Sequence, residues 1–147
     1  MNLETLQPDV EQYLAEQHME GVPHWDAERL ATVDPLAQGE YNMNYLVSQD
    51  GRRWVFRVNV GTQIDRDDQI RYEFRALKLL ESTGVTPRPY YVDDAPGLTD
   101  SEGETYGVLL MEYLPGEMLD YCRDLEAAAR LFACVHTCPI AEEENHL

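Results

Sequence analysis

Asp50-Gly51, set between two runs of alternating character, constrains this chain more than any other stretch. Met43 to Ser48 and Arg53 to Asn59 both read as strands, and an Asp-Gly pair between such runs is a strong signal for a tight hairpin. The two strands are therefore expected side by side and antiparallel. In Trp54-Val55-Phe56-Arg57-Val58-Asn59, a period of 2 puts Val55 and Arg57 on one face and Trp54, Phe56 and Val58 on the other. A cation thus interrupts an otherwise apolar face.

Beyond the hairpin the apolar spacing turns helical. Ile70, Phe74, Leu77 and Leu80 predict a helix from about Asp67 to Ser82, with Asp65, Asp67 and Asp68 at its positive end and Gly84 just past the other. Steps of 100° place Glu73 inside that apolar stripe. An unpaired carboxylate there is costly, which makes Arg57 its expected partner, the alternative being a rim glutamate that reaches solvent.

The remaining elements are read more coarsely. Pro8 to His18, with Val10, Tyr13, Leu14 and His18 toward one face and Pro8 near the first turn, predicts a short amphipathic helix. A strand is expected near Glu28 to Val33, another near Tyr90 to Val92 behind Pro87 and Pro89, and an apolar one over Tyr106 to Tyr113 that Leu114, Pro115 and Gly116 stop. Asp93 to Thr105 reads as a loop. Asp124 to Cys138 carries Leu125, Ala128, Leu131, Phe132 and Val135 on helical repeats, and the closing AEEENHL gives no structural signal.

With 147 residues and 44% of them hydrophobic, the chain fits one folded domain and not a disordered acidic tail. Its charge is the outlier: 28 Asp and Glu oppose 11 Lys and Arg, the net is −17, and Lys78 is the sole lysine. Self-repulsion of that size opposes compaction in dilute salt, whereas molar salt shortens screening to about 3 Å, so a halophilic, salt-rich cytoplasm is expected. The same sign disfavours binding to nucleic acid. Cys122, Cys134 and Cys138 are an odd number, no secretory leader opens the chain, and no apolar run approaches the roughly 20 residues that span a bilayer, so a reduced cytoplasm and no membrane are expected. On their predicted helix Cys134 and Cys138 share a face while His136 points elsewhere, which argues for buried, inert cysteines over zinc.

Four separated motifs occur in order: Gly39-Glu40-Tyr41-Asn42-Met43-Asn44-Tyr45-Leu46-Val47, Val55-Phe56-Arg57-Val58, the Y-E-F-R-A-L-K-L-L run from Tyr72, and the L-L-M-E-Y-L-P-G run from Leu109. In this order and spacing the chain, from about Leu36 to His136, resembles the aminoglycoside phosphotransferase and choline kinase family, relatives of the protein kinases, over their N-terminal lobe. The resemblance implies an α+β fold: an about five-stranded, mainly antiparallel sheet with a packed helix C, plus an N-terminal and a C-terminal helix. It implies residues 1–35 as a helix and first strand region, 36–113 as the nucleotide-binding small lobe, and 114–147 as hinge and first helix of a second lobe.

It also implies roles at matching positions. Gly39 and Asn42 would lie over the phosphates of ATP, Val55 against adenine, and Arg57 where the family places a phosphate-contacting cation, held by Glu73. Met111 would form the back wall, and the backbones of Glu112 and Leu114 would meet the adenine edge. Tyr41 departs from the small hydroxyl residue usual at its position, and Arg57 from the lysine of protein kinases. The H-x-D-x-x-x-x-N loop and the later metal-binding Asp of the family are not found; His24-Trp25-Asp26 imitates the first half but reads as a surface turn. Ligands for Mg²⁺ are therefore expected in a missing lobe, Asp65, Asp67 and Asp68 serving the helix terminus instead. The expectation is an ATP-binding lobe, truncated or split, not catalytic alone, with a separately encoded C-lobe or self-association as its partner. The alternatives are a non-catalytic nucleotide-binding or regulatory module and an acidic interaction protein without a nucleotide site.

Overall fold

Asp50 and Gly51 both adopt left-handed backbone angles, φ +50° and +76°, and fold β2 (Asn42–Gln49) directly back onto β3 (Arg52–Asn59). The pairing is antiparallel and in register from Gln49↔Arg52 to Asn42↔Asn59, as the alternating runs require. The computed structural model describes residues 2–61, 66, 68–99 and 106–140. Around this hairpin lie α1 (Leu3–Glu16), β1 (Thr32–Gln38), α2 (Gln69–Leu80), β4 (Pro89–Asp93), β5 (Gly107–Glu112) and α3 (Leu125–His136). Among the described residues the strands form one sheet of order β1-β2-β3-β5-β4, every neighbouring pair antiparallel.

Period 2 divides the sheet into two unlike faces. One face gathers Met43, Tyr45, Val47, Trp54, Phe56, Val58, Val108 and Leu110, over which α1 lays Leu6, Val10, Tyr13 and Leu14. Burying each such side chain contributes about 1.5–3 kcal/mol before ordering entropy is subtracted, so this face is the main core. On the other face α2 covers only the β4–β5 side: Ile70 packs on Leu109 and Met111, flanked by Val55, Phe74, Leu77 and Val92. The rest of that face, from Asn42, Asn44 and Leu46 to Val55 and Arg57, stays half-buried.

Several expected boundaries shift. Helix α1 starts at Leu3, capped by Asn2, whose Oδ1 accepts from the Thr5 N–H at 2.9 Å, so Pro8 stands in the helix interior on an exposed site. It ends at Glu16, leaving His18 outside and exposed. The strand expected over Glu28 to Val33 is instead β1 at Thr32–Gln38, and Asp26 to Arg29 form a turn in which the Arg29 N–H donates to the Asp26 carbonyl at 3.2 Å. Pro35 does not break β1 because β1 is an edge strand and needs no donor on its open side. A bulge between Pro35 and Ala37 and a bond from Gln7 Nε2 to the Val33 carbonyl, 2.9 Å, further restrict that edge. β1 also crosses the boundary expected between residues 35 and 36.

Helix α2 is followed by a 3₁₀ turn at Glu81–Thr83 and by Gly84 at φ +67°, the left-handed residue expected past its end. Asp68 does not cap it through its side chain; its carboxylate takes Arg66 at 2.8 Å and Arg75 at 2.7 Å. Asp65 and Asp67 lie outside the described residues, as does part of the loop expected over Asp93 to Thr105, of which Leu98 is buried and accepts the Tyr106 N–H at 2.9 Å. Helix α3 has no buried residue: Leu125 and Phe132 are 62% and 61% exposed. The cysteines are consequently not buried as expected: Cys122 is exposed, and Cys134 and Cys138 are half-exposed, with the Cys138 thiol 3.9 Å from the Leu79 carbonyl at the end of α2. Among the described residues no helix is long and apolar enough to cross a membrane.

Candidate functional site

The half-buried face of β2 and β3 collects the residues singled out from sequence into a definite order. At the β5 end, Val55 pairs with Met111 across β3–β5, and both pack into the cluster around Ile70 and Leu109. Two residues further along β3, a step of about 7 Å, stands Arg57. Its Nη1 donates to Glu73 Oε2 on α2 at 2.8 Å, with the two side chains 28% and 23% exposed. The expected pair between β3 and the helix is thus present, and it is reached by solvent.

Arg57 has a second partner that sequence reasoning missed. Its Nε donates to Asn44 Oδ1 at 3.0 Å, and Asn44 lies directly opposite it in the β2–β3 register. A signal existed in the alternation: Asn44 is the one polar residue between Asn42 and Leu46 on the strand face that looks at Val55 and Arg57. The guanidinium is therefore held at Nε and Nη1, and Nη2 has no hydrogen-bond partner among the described residues.

Beyond Arg57 lies the turn Gly39–Tyr41. The Gly39 N–H donates to the Asn42 carbonyl at 2.8 Å, closing the turn, so this N–H is used within the loop. A Cβ on Gly39 would meet only the Asn42 carbonyl oxygen, at 3.8 Å, so space does not dictate a glycine there. The loop is pinned from β3: Asn59, 8% exposed, donates through Nδ2 to the Tyr41 carbonyl at 3.2 Å and to Asn42 Oδ1 at 3.1 Å. Val60 adds its N–H to the Tyr41 carbonyl at 2.9 Å. The Tyr41 ring lies 3.3 Å from where a Cβ on Gly61 would stand, so the ring occupies the space that a side chain there would take. Asn59 also escaped notice in the sequence, where it reads as the ordinary end of a strand.

At the opposite end, the Glu112 N–H donates to the Arg88 carbonyl at 2.8 Å and its carboxylate accepts the Arg88 N–H at 3.2 Å. Leu114 lies past β5 and is 51% exposed. Charges on α2 fix the helix that carries Glu73. Arg71 grips Asp94 with two bonds of 2.6 and 2.8 Å and holds that carboxyl below its ordinary range, and Arg66, then Arg75, do the same for Asp68. His24-Trp25-Asp26 lies in a turn on the far side of the sheet, where Trp25 stacks edgewise on Trp54 at 5.6 Å, as a structural segment would. Among the described residues no group of three or more His, Cys, Asp or Glu is placed to hold a metal ion.

Comparison with known proteins agrees with this architecture. No curated protein matches the chain. A solved structure assigned as a fructosamine-3-kinase from Haemophilus somnus 129PT superposes with a TM-score of 0.50 at 19% identity, covering 90% of this chain and 40% of that one. At such identity the likeness concerns the fold, and this chain spans well under half of that protein's length. The model of the phosphotransferase enzyme family matches residues 32–143. Because that match runs from the first residue of β1 to beyond the end of α3, through both partners of the Arg57–Glu73 bridge, the chain belongs to the phosphotransferase enzyme family.

Proposed function

We propose that this chain is the ATP-binding small lobe of a small-molecule phosphotransferase and does not transfer phosphate alone. The observation that carries the reading is the solvent-reached Arg57–Glu73 pair standing one strand step from the apolar wall of Val55 and Met111. Adenine rests on that wall with the backbones of Glu112 and Leu114 along its edge, and the phosphates run toward Arg57, Gly39 and Asn42. Arginine suits the task because it remains charged and can fork onto two phosphate oxygens.

Phosphoryl transfer depends on positioning and on neutralising charge. The residues described here supply one cation and an apolar wall. They offer Mg²⁺ no ligand set of their own, so its ligands and the base that orients the acceptor are assigned to a second lobe, on the same polypeptide or a separate one. The exposed apolar residues Leu114, Leu125 and Phe132 are what that lobe would cover, and uncovered they favour self-association.

The test is to purify residues 1–147 in molar KCl, measure ATP binding by calorimetry, and assay phosphate transfer to amino sugars, choline, sugars and fructosamines, with and without a second lobe from the family. Weak binding, no turnover alone and turnover on complementation are expected. Turnover by the 147 residues alone would overturn the half-enzyme reading; absence of ATP binding in both arms would overturn the nucleotide reading and leave an acidic interaction protein.

A further inference from the structure

We propose that Asn44 is a positioning residue for Arg57, fixing the guanidinium so that its Nη2 edge faces the phosphates of the bound nucleotide; this rests on the reading that Arg57 contacts phosphate. A guanidinium on a single carboxylate can swing about that contact. Glu73 makes one contact, to Nη1 at 2.8 Å, and by itself leaves the orientation of the guanidinium plane open. Asn44 closes that freedom by accepting from Nε at 3.0 Å. Contacts at Nε and Nη1, one from each side, set the plane of the group, and Nη2 is the nitrogen left over.

Asn44 is itself held. Its Nδ2 donates to the Ala37 carbonyl at 3.3 Å, and Ala37 is its register partner just after the bulge in β1. The amide oxygen therefore points at Arg57 because the amide nitrogen has a backbone acceptor on the other side. A continuous chain of contacts runs from the strand that leads into the Gly39 turn, through Asn44 and Arg57, to Glu73 on α2. A change in β1 or in the Gly39 turn is thereby felt at the cation, and the orientation of the cation is felt at α2. A serine or alanine at position 44 would be too short to reach both groups, and a leucine would fill the same space without an acceptor.

The expected signature is a loss of phosphate discrimination without a loss of adenine binding. Asn44→Leu, Arg57→Met and the unaltered chain are compared for binding of ATP and of adenosine in molar KCl, and the Arg57 Nε–H is followed by nitrogen-15 NMR in the free protein. Asn44→Leu should lower ATP affinity about tenfold, the order expected for one lost hydrogen bond to a charged group, leave adenosine affinity unchanged, and speed exchange of the Nε–H. Asn44→Asp keeps the acceptor and should restore slow exchange of the Nε–H. If Arg57→Met lowers the ATP-to-adenosine preference while Asn44→Leu changes neither that preference nor the Nε–H exchange, the positioning role is wrong and the phosphate role of Arg57 stands. If Arg57→Met leaves the preference unchanged, the phosphate reading falls and this inference falls with it.

Discussion

Arg57 on β3 and Glu73 on α2 meet at 2.8 Å, a charged contact that stands beside the apolar packing of Ile70 on Leu109 and Met111 and ties α2 to β3 on the face that α1 leaves uncovered. The two residues should therefore be energetically coupled. In a double-mutant cycle with Arg57→Met and Glu73→Gln, melting should show a coupling energy of about 0.5–3 kcal/mol, toward the low end because both side chains are partly solvated. Additive losses in the cycle would mean that the pair does not form in solution.

Gly107 lies under Ile70 so closely that a Cβ would stand 2.9 Å from the Ile70 Cβ, closer than real Cβ atoms come. Gly107→Ala should destabilise the chain by about 1–3 kcal/mol, through displacement of α2 from β5. Ile70→Ala in the same background should recover part of the loss, because it vacates the clashing atoms. Thermal melts of the two single variants and the double variant decide it; an unchanged melting point for Gly107→Ala would show that α2 does not sit against β5 as described.

Tyr13 and Tyr45 make the fold sensitive to alkali. Burial, first, and then bonds with Tyr91 and Asp93 raise the Tyr13 phenol far above its ordinary value, and burial followed by the nearby Asp9 charge pushes Tyr45 up to about 12. A phenol that keeps its proton in the fold while the unfolded chain loses it near pH 10 stabilises fully below that pH. The stabilisation is then lost as pH rises toward the folded values. Urea melts between about pH 9 and 12 should show falling stability, and Tyr45→Phe should flatten the fall. An equally steep fall in the variant would place the alkaline transition elsewhere.

The net charge of −17 predicts that the melting temperature rises between low and molar KCl. The ion pairs among the described residues all reach solvent and would weaken over the same range, so the rise measures the excess carboxylates and not the pairs. A midpoint that is flat or falls with KCl would remove the halophilic interpretation.

The sequence by itself determined what short-range periodicity encodes. Asp50-Gly51 set the hairpin, the stripe from Ile70 to Leu80 set α2 with Gly84 past its end, and a cation and a carboxylate each placed on an apolar face made their pairing one of two open readings, the one the structure takes. These are legible because each is fixed by neighbours in the chain or by the cost of burying one unpaired charge. Only the tertiary structure decided that Pro35 belongs to a strand, since tolerance of proline depends on which strand lies at the edge. It also decided that α1 covers one face, where Tyr13 reaches Asp93 across 80 positions of sequence at 2.9 Å, and that Asn44 stands opposite Arg57 to orient it. Such contacts join residues whose local patterns carry no mark of one another, so they are specified by packing of the whole and not by any segment of it.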